Sequence, residues 1–209
     1  MGKNTLCRLK QQEREMRKNL ILDAAERVFS TKPYNAVSMQ EIANEAGLAK
    51  SSIYTYFPTQ EALFVEAAMR DAGLLFSNLE GILAEKKKPD LGKIIDAFLN
   101  FFAGRDAFFK MSAQFMLYGN ISAESIDKLN PVTRRMLNIF EATFSRHGYK
   151  GDVRLMSHTL FATLSGILIA YRKYPGRSDQ EILKHMKRIG KNVKEMIQVR
   201  IRQNAQEAL

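Results

Sequence analysis

The sequence predicts an all-α fold. Three observations carry this: apolar residues recur at helical spacing in nearly every segment, no stretch alternates with a period of two, and capping or turn residues separate the periodic segments. With 45% hydrophobic and 26% charged residues, the chain has the balance of a globular protein. Its 209 residues allow one large domain, or a small one joined to a larger one.

The elements follow in order. Residues 11–30 place Leu20, Ile21, Ala24, Ala25, Val28 and Phe29 on one helical face, and Pro33 marks the turn after it. Ser38 and Glu41 form the S-x-x-E pattern of a capping box. Ile42, Ala43 and Ala46 are the buried face of the helix they open, and Gly47 suits a left-handed turn at its end. A short helix is expected over 49–56, where Pro58 disfavours helical geometry at Phe57. Thr59 caps a long helix over 60–85.

After the polar break at residues 86–90, apolar helices are expected over 92–103 and 106–118. Gly119-Asn120 interrupts the pattern, and Asn130-Pro131 reads as the N-cap and first residue of a helix ending at Gly148. Asp152 caps a buried helix to about residue 174, Pro175-Gly176 ends it, and Ser178 opens a last helix reaching Gln203. The sum is about nine or ten helices, with no internal repeat.

The net charge of +10 favours a polyanionic partner, whether nucleic acid, an anionic membrane or an acidic protein. Much of it comes from Arg172, Lys173, Lys184, Lys187, Arg188, Lys191 and Lys194, which read as a solvated face. The lone Cys7 can form no internal disulfide, and no apolar core follows the basic start at signal-peptide distance, so a cytoplasmic protein is expected. The apolar stretch 155–170 is shorter than the roughly 20 residues of a membrane span, and no membrane partner is expected. His147, His158 and His185 lack metal-ligand spacing and no phosphate-cradling Gly motif is present. Neither an enzyme, nor a cofactor, nor a metal site is expected.

Two short helices joined at Gly47 and preceded by a longer one are the parts of a helix-turn-helix. Ala43, Ala46 and Gly47 are small where the helices cross, and Ile53 anchors the second helix. Lys50, Ser51 and Ser52 stand at its N-terminal end, the end that enters a major groove.

The run SMQEIANEAGLAKSSIYTYFPTQEALF, with ILDAAERVFS before it, resembles the signature of the TetR family of bacterial repressors over about the first seventy residues. The resemblance implies a DNA-binding domain over 1–58 and a ligand-binding and dimerisation domain over 59–209. It implies that Ser38 holds a phosphate, that Ala49, Lys50, Ser51, Ser52 and Thr55 meet base edges, and that Tyr54 and Tyr56 reach phosphates or bases. Ser38 also reads simply as a cap, Tyr54 as a packing residue and Thr55 as a surface threonine. Gln60 stands where the family usually has a phosphate-contacting Lys; Arg14, Arg17 and Lys18 would restore that charge.

The last two helices are expected to build a homodimer, or else a purely internal core, with Ala162, Ser165 and Gly166 permitting close approach. Leu160, Leu164, Ile167 and Leu168 form one stripe, and Ile182, Met186, Ile189, Val193 and Ile197 the other. In the middle helices Phe76, Phe98, Phe101, Phe102, Phe108, Phe115, Met116, Tyr118, Phe140, Phe144, His158 and Phe161 are candidate walls of an effector pocket, or core. The implied function is a repressor released from a palindromic, double-stranded operator by a small apolar or aromatic ligand. The alternative is a DNA-organising or partner-recruiting protein on the same scaffold.

Overall fold

The computed structural model describes the backbone of residues 2–85, 87–105, 108–110, 112–113 and 122–207; side chains are described over 5–85, 87–105, 108–110, 112–113 and 122–206. Among these residues there is helix and no strand. The helices are α1 (Gly2–Thr31), α2 (Met39–Ala46), α3 (Lys50–Tyr54), α4 (Gln60–Glu85), α5 (Leu91–Gly104), α6 (Ala123–Arg146), α7 (Val153–Tyr171) and α8 (Asp179–Glu207). Short helical pieces at 108–110 and 112–113 fall within the stretch expected to be helical over 106–118, most of which lies outside the described residues.

The chain forms two compact units. One comprises Met1–Asp71 with Ala107–Lys128, the other Ala72–Asp106 with Leu129–Leu209. The division falls inside α4 and inside α6, so each of these helices contributes to both.

In the first unit α1 packs on α2 and α2 on α3. Ile21, Ala24, Ala25 and Phe29 of α1 are buried with Ile42, Ala43 and Ile53. The Phe29 ring meets that of Phe64 edge-on at 5.0 Å, and Tyr34 closes the aromatic group at 4.7 Å from Phe64. Ion pairs join the elements: Arg27 with Glu45, Lys18 with Glu66, and Arg70 with both Asp23 and Glu26.

In the second unit α5 packs against α7 and α8, which also pack on each other. Asp90 caps α5, accepting the Gly92 N–H at 2.8 Å, and takes Lys194 of α8 as an ion-pair partner at 3.0 Å. Gly190 lets α8 approach closely: a Cβ there would stand 2.8 Å from Cγ2 of Ile95 and 3.1 Å from Cδ1 of Leu99.

Several expectations need correction. α1 is longer than the 11–30 span, beginning at Gly2. α6 begins at Ala123 rather than at Pro131: Ser122 accepts the Ser125 N–H and opens the helix, and Pro131 lies inside it. Pro131 removes the donor that the Asp127 carbonyl would have used, but both residues are exposed, so water can serve that carbonyl. Arg172 is no part of a solvated face. It is buried and donates to the Phe102 and Ala103 carbonyls at 2.9 and 3.2 Å, where a cation suits the C-terminal end of α5. Lys194 is likewise engaged, with Asp90.

Candidate nucleic-acid interface and effector core

The helix-turn-helix is built by local rules. Ser38 and Glu41 complete the capping box: the Glu41 N–H reaches Ser38 Oγ at 3.2 Å and the Ser38 N–H reaches Glu41 Oε2 at 3.0 Å. Lys32 pairs with the same carboxyl, and this bond, with those from Ser38, holds Glu41 below the usual carboxylate range. Gly47 ends α2 with φ +66°, a left-handed conformation that side chains with a Cβ resist, and its N–H closes the turn onto Ala43 and Asn44. Ile53 is fully buried and pins α3 against the small residues of α2.

That anchoring decides which side of α3 faces outward. Ala49, Lys50, Ser51, Tyr54 and Thr55 are exposed and Ser52 is half-buried. Lys50 stands with its ammonium 6.0 Å from the Tyr54 ring centroid. Tyr56 is half-buried, and the Arg14 guanidinium lies over its ring at 5.6 Å, which brings the basic stretch of α1 beside the end of the recognition helix. Ser38 is exposed at the start of α2. Thr59 caps α4, accepting the Ala62 N–H at 3.0 Å, and Gln60 turns its amide onto the Tyr34 carbonyl at 3.0 Å. The residues expected to read DNA are thus brought together, Gln60 through a bond to its own unit.

The expected effector walls separate into groups. In the second unit Phe98 is the hub: its ring lies 4.8 Å from Phe102, 6.3 Å from Phe140 and 6.4 Å from Phe161, and Phe101 meets Phe102 at 5.9 Å. Phe98, Phe102, Phe140 and Phe144 are buried, Phe101 and Phe161 half-buried. Phe76 is buried with the Arg135 guanidinium over its ring. Phe108 is buried in the first unit. His158 does not join them; it is exposed on α7. Phe115, Met116 and Tyr118 lie outside the described residues.

The two expected stripes turn mostly inward, as the internal-core alternative has it. Leu160, Leu164, Ile167, Leu168, Ile182, Met186 and Ile197 are buried within the chain, and Ile189 and Val193 are half-buried. They are the core where α7 and α8 meet each other and α5. The outward face of α7 is largely apolar or small: Leu155 is 63% and Ile169 51% exposed, with Ala162 and Gly166 between them and His158 and Thr159 as its polar members. On α8, Met196 is 71% exposed and Val199 43%. By length and composition α7 could cross a membrane, and the expectation of a buried helix holds for one face only. Periodicity could not choose between the two faces because both are apolar.

A recognition helix pinned on a capped, glycine-ended support, joined to a helical unit with an aromatic core, defines a helix-turn-helix regulator of transcription. Residues 21–67 match the family described as bacterial regulatory proteins, tetR family. It is similar to the fatty acid metabolism regulator protein of Bacillus subtilis (strain 168), with 26% identity over 152 residues, 69% of this chain and 77% of that protein. Among solved structures, FadR from Bacillus subtilis in complex with stearoyl-CoA superposes with a TM-score of 0.71 at 23% identity, covering 85% of this chain and 95% of that one. AibR in complex with isovaleryl coenzyme A and operator DNA gives 0.64 at 18%, covering 82% and 96%. At these identities the two structures establish the fold.

Proposed function

We propose that this regulator is a homodimeric repressor that binds an inverted-repeat operator and is released by a fatty acyl-CoA thioester. The observation that carries the DNA reading is the outward face of α3, where Lys50, Ser51, Tyr54 and Thr55 are exposed while Ile53 alone holds the helix down. Lys50, Ser51 and Ser52 at its N-terminal end would meet base edges; Ser38, Tyr56 and Arg14 would hold the backbone on either side. Two such helices about 34–36 Å apart would read successive major grooves.

The effector class is supported by the Phe98 cluster, an apolar aromatic core suited to an alkyl chain, and by the acyl-CoA ligands of two proteins of the same fold. The dimer would form through the outward faces of α7 and α8, where Leu155, Ala162, Gly166 and Ile169 meet their counterparts beside Met196 and Val199. α4 would couple the sites, since it is one uninterrupted helix from Gln60 at the DNA-reading unit to Glu85. A ligand acts only through its difference in affinity between the two states, and couplings of about 1–3 kcal/mol change operator affinity on the order of 5–150-fold.

The test has two stages. Selection from random duplexes should return an inverted repeat, and titration of that operator complex with a long-chain acyl-CoA should release it. Reciprocity requires operator DNA to weaken acyl-CoA binding by the same factor. Failure to enrich any sequence sinks the operator reading; equal acyl-CoA affinity of free and DNA-bound protein sinks the effector reading.

A further inference from the structure

The end of α7 and the start of α8 enclose a cavity of about 90 Å³ lined by Tyr171, Tyr174, Arg177, Ile182 and His185. Apart from Ile182, its walls are aromatic and polar side chains. Tyr171 and Tyr174 stack at 6.5 Å with 27° between their planes, His185 meets Tyr171 edge-on at 5.0 Å, and the Arg177 guanidinium lies over Tyr174 at 5.3 Å. Ile182 is the buried floor, while Tyr174 and Arg177 are exposed and can be reached from solvent. Lys184 and Arg188 add positive charge on the first turns of α8. The nearby Glu181 is occupied as the capping partner of Ser178, whose N–H and hydroxyl lie 2.9 and 2.7 Å from its carboxyl.

Stacked aromatic faces accept a flat heterocycle of any sequence, and arginine matches phosphate geometry. A void of this size admits part of a ring system while its charged substituents stay outside among the cations. Arg172, next to Tyr171 in the chain, is bonded to the carbonyls of Phe102 and Ala103 at the end of α5.

We propose that this cavity holds the nucleotide end of a coenzyme A thioester, with the adenine against Tyr171 and Tyr174 and the phosphates on Arg177, His185, Lys184 and Arg188. This rests on the reading of the effector as an acyl-CoA. It divides recognition in two: the Phe98 cluster takes the acyl chain, and the α7–α8 turn takes the base and phosphates.

The experiment is calorimetric titration of the full chain with four probes: adenosine 3′,5′-bisphosphate, free coenzyme A, palmitoyl-CoA and palmitate. Tyr174→Ala and Arg177→Gln change exposed side chains, and circular dichroism checks that both variants remain folded. Each should weaken binding of the three nucleotide-bearing probes by roughly tenfold or more, the scale of a lost base stack, and leave palmitate unaffected. Wild-type affinity of both variants for palmitoyl-CoA would overturn the site while leaving the acyl-CoA reading standing. Failure of the bisphosphate and coenzyme A to bind the wild type at millimolar concentration would also overturn it. If both bind and weaken in the variants while palmitoyl-CoA releases no DNA, the nucleotide site stands and the acyl-CoA reading falls.

Discussion

The side-chain amide of Gln60 donates to the main-chain carbonyl of Tyr34 at 3.0 Å. The first residue of α4 is thereby tied to the turn that follows α1, beside the Phe29–Tyr34–Phe64 ring group. At a place where a lysine would offer charge to DNA, this chain uses an amide to fix how α4 leaves the DNA-reading unit. Gln60→Ala should therefore destabilise the protein by about 1 kcal/mol, the net worth of one neutral hydrogen bond, visible in thermal unfolding without DNA. Gln60→Lys should steepen the salt dependence of DNA binding by about one counterion.

Lys50 is exposed at the start of α3 with its ammonium near the Tyr54 ring. If it reads a base, Lys50→Ala should lower operator affinity by roughly 1–3 kcal/mol and leave random DNA nearly unchanged. Equal losses on operator and random duplexes, measured by fluorescence anisotropy, would assign it to phosphate instead.

The two faces of α7 should respond oppositely to charge. Leu164→Asp buries a carboxylate in the core of the chain, and loss of several kcal/mol should leave little folded protein. Ile169→Asp and Met196→Asp lie on outward faces and should give folded monomers in analytical ultracentrifugation. A wild type that sediments as a monomer at micromolar concentration would remove the dimer altogether.

Gly190 sits where α8 crosses α5, and an added methyl would press on Ile95 and Leu99, both buried. Gly190→Ala gains up to about 1 kcal/mol of helix propensity but should lose about 1–3 kcal/mol to overpacking. Net destabilisation in urea denaturation is expected; a stabilised variant would show that α8 can move away freely.

The Lys194 hydrogen bond holds Asp90 below the usual aspartate range, assisted by the Gly92 N–H. A carboxyl depressed in the folded state stabilises above its unfolded pKa, and the contribution fades as pH falls through the lower folded value. The stability difference between wild type and Lys194→Gln should therefore be present at pH 7 and shrink below about pH 4. Because both side chains are partly exposed, it should not exceed about 1 kcal/mol. An undiminished difference at pH 3 would show that Lys194 acts through packing.

Local features were legible wherever the chemistry is local. The Ser38–Glu41 box, the left-handed Gly47, the Thr59 and Asp152 caps and the buried Ile53 each follow from a few neighbouring residues, and the structure has all of them. The start of α6 was misread because Asn130-Pro131 imitates a helix start. The capping Ser122 draws its identity partly from contacts with Glu61, 61 positions away, which sequence order does not display.

The sequence alone established that the chain is helical, that a capped helix-turn-helix opens it, and which residues of the recognition helix can face outward. Tertiary structure decided which side of α7 and α8 is core, that Arg172 is buried at the end of α5, and that Gly190 is a crossing point. It also drew Tyr171, Tyr174, Arg177 and His185 around one cavity. The physical reason is range. Capping and turn geometry are satisfied within a few residues, whereas a helix apolar on two sides gains burial whichever side turns inward, and only the shape of its neighbours selects one.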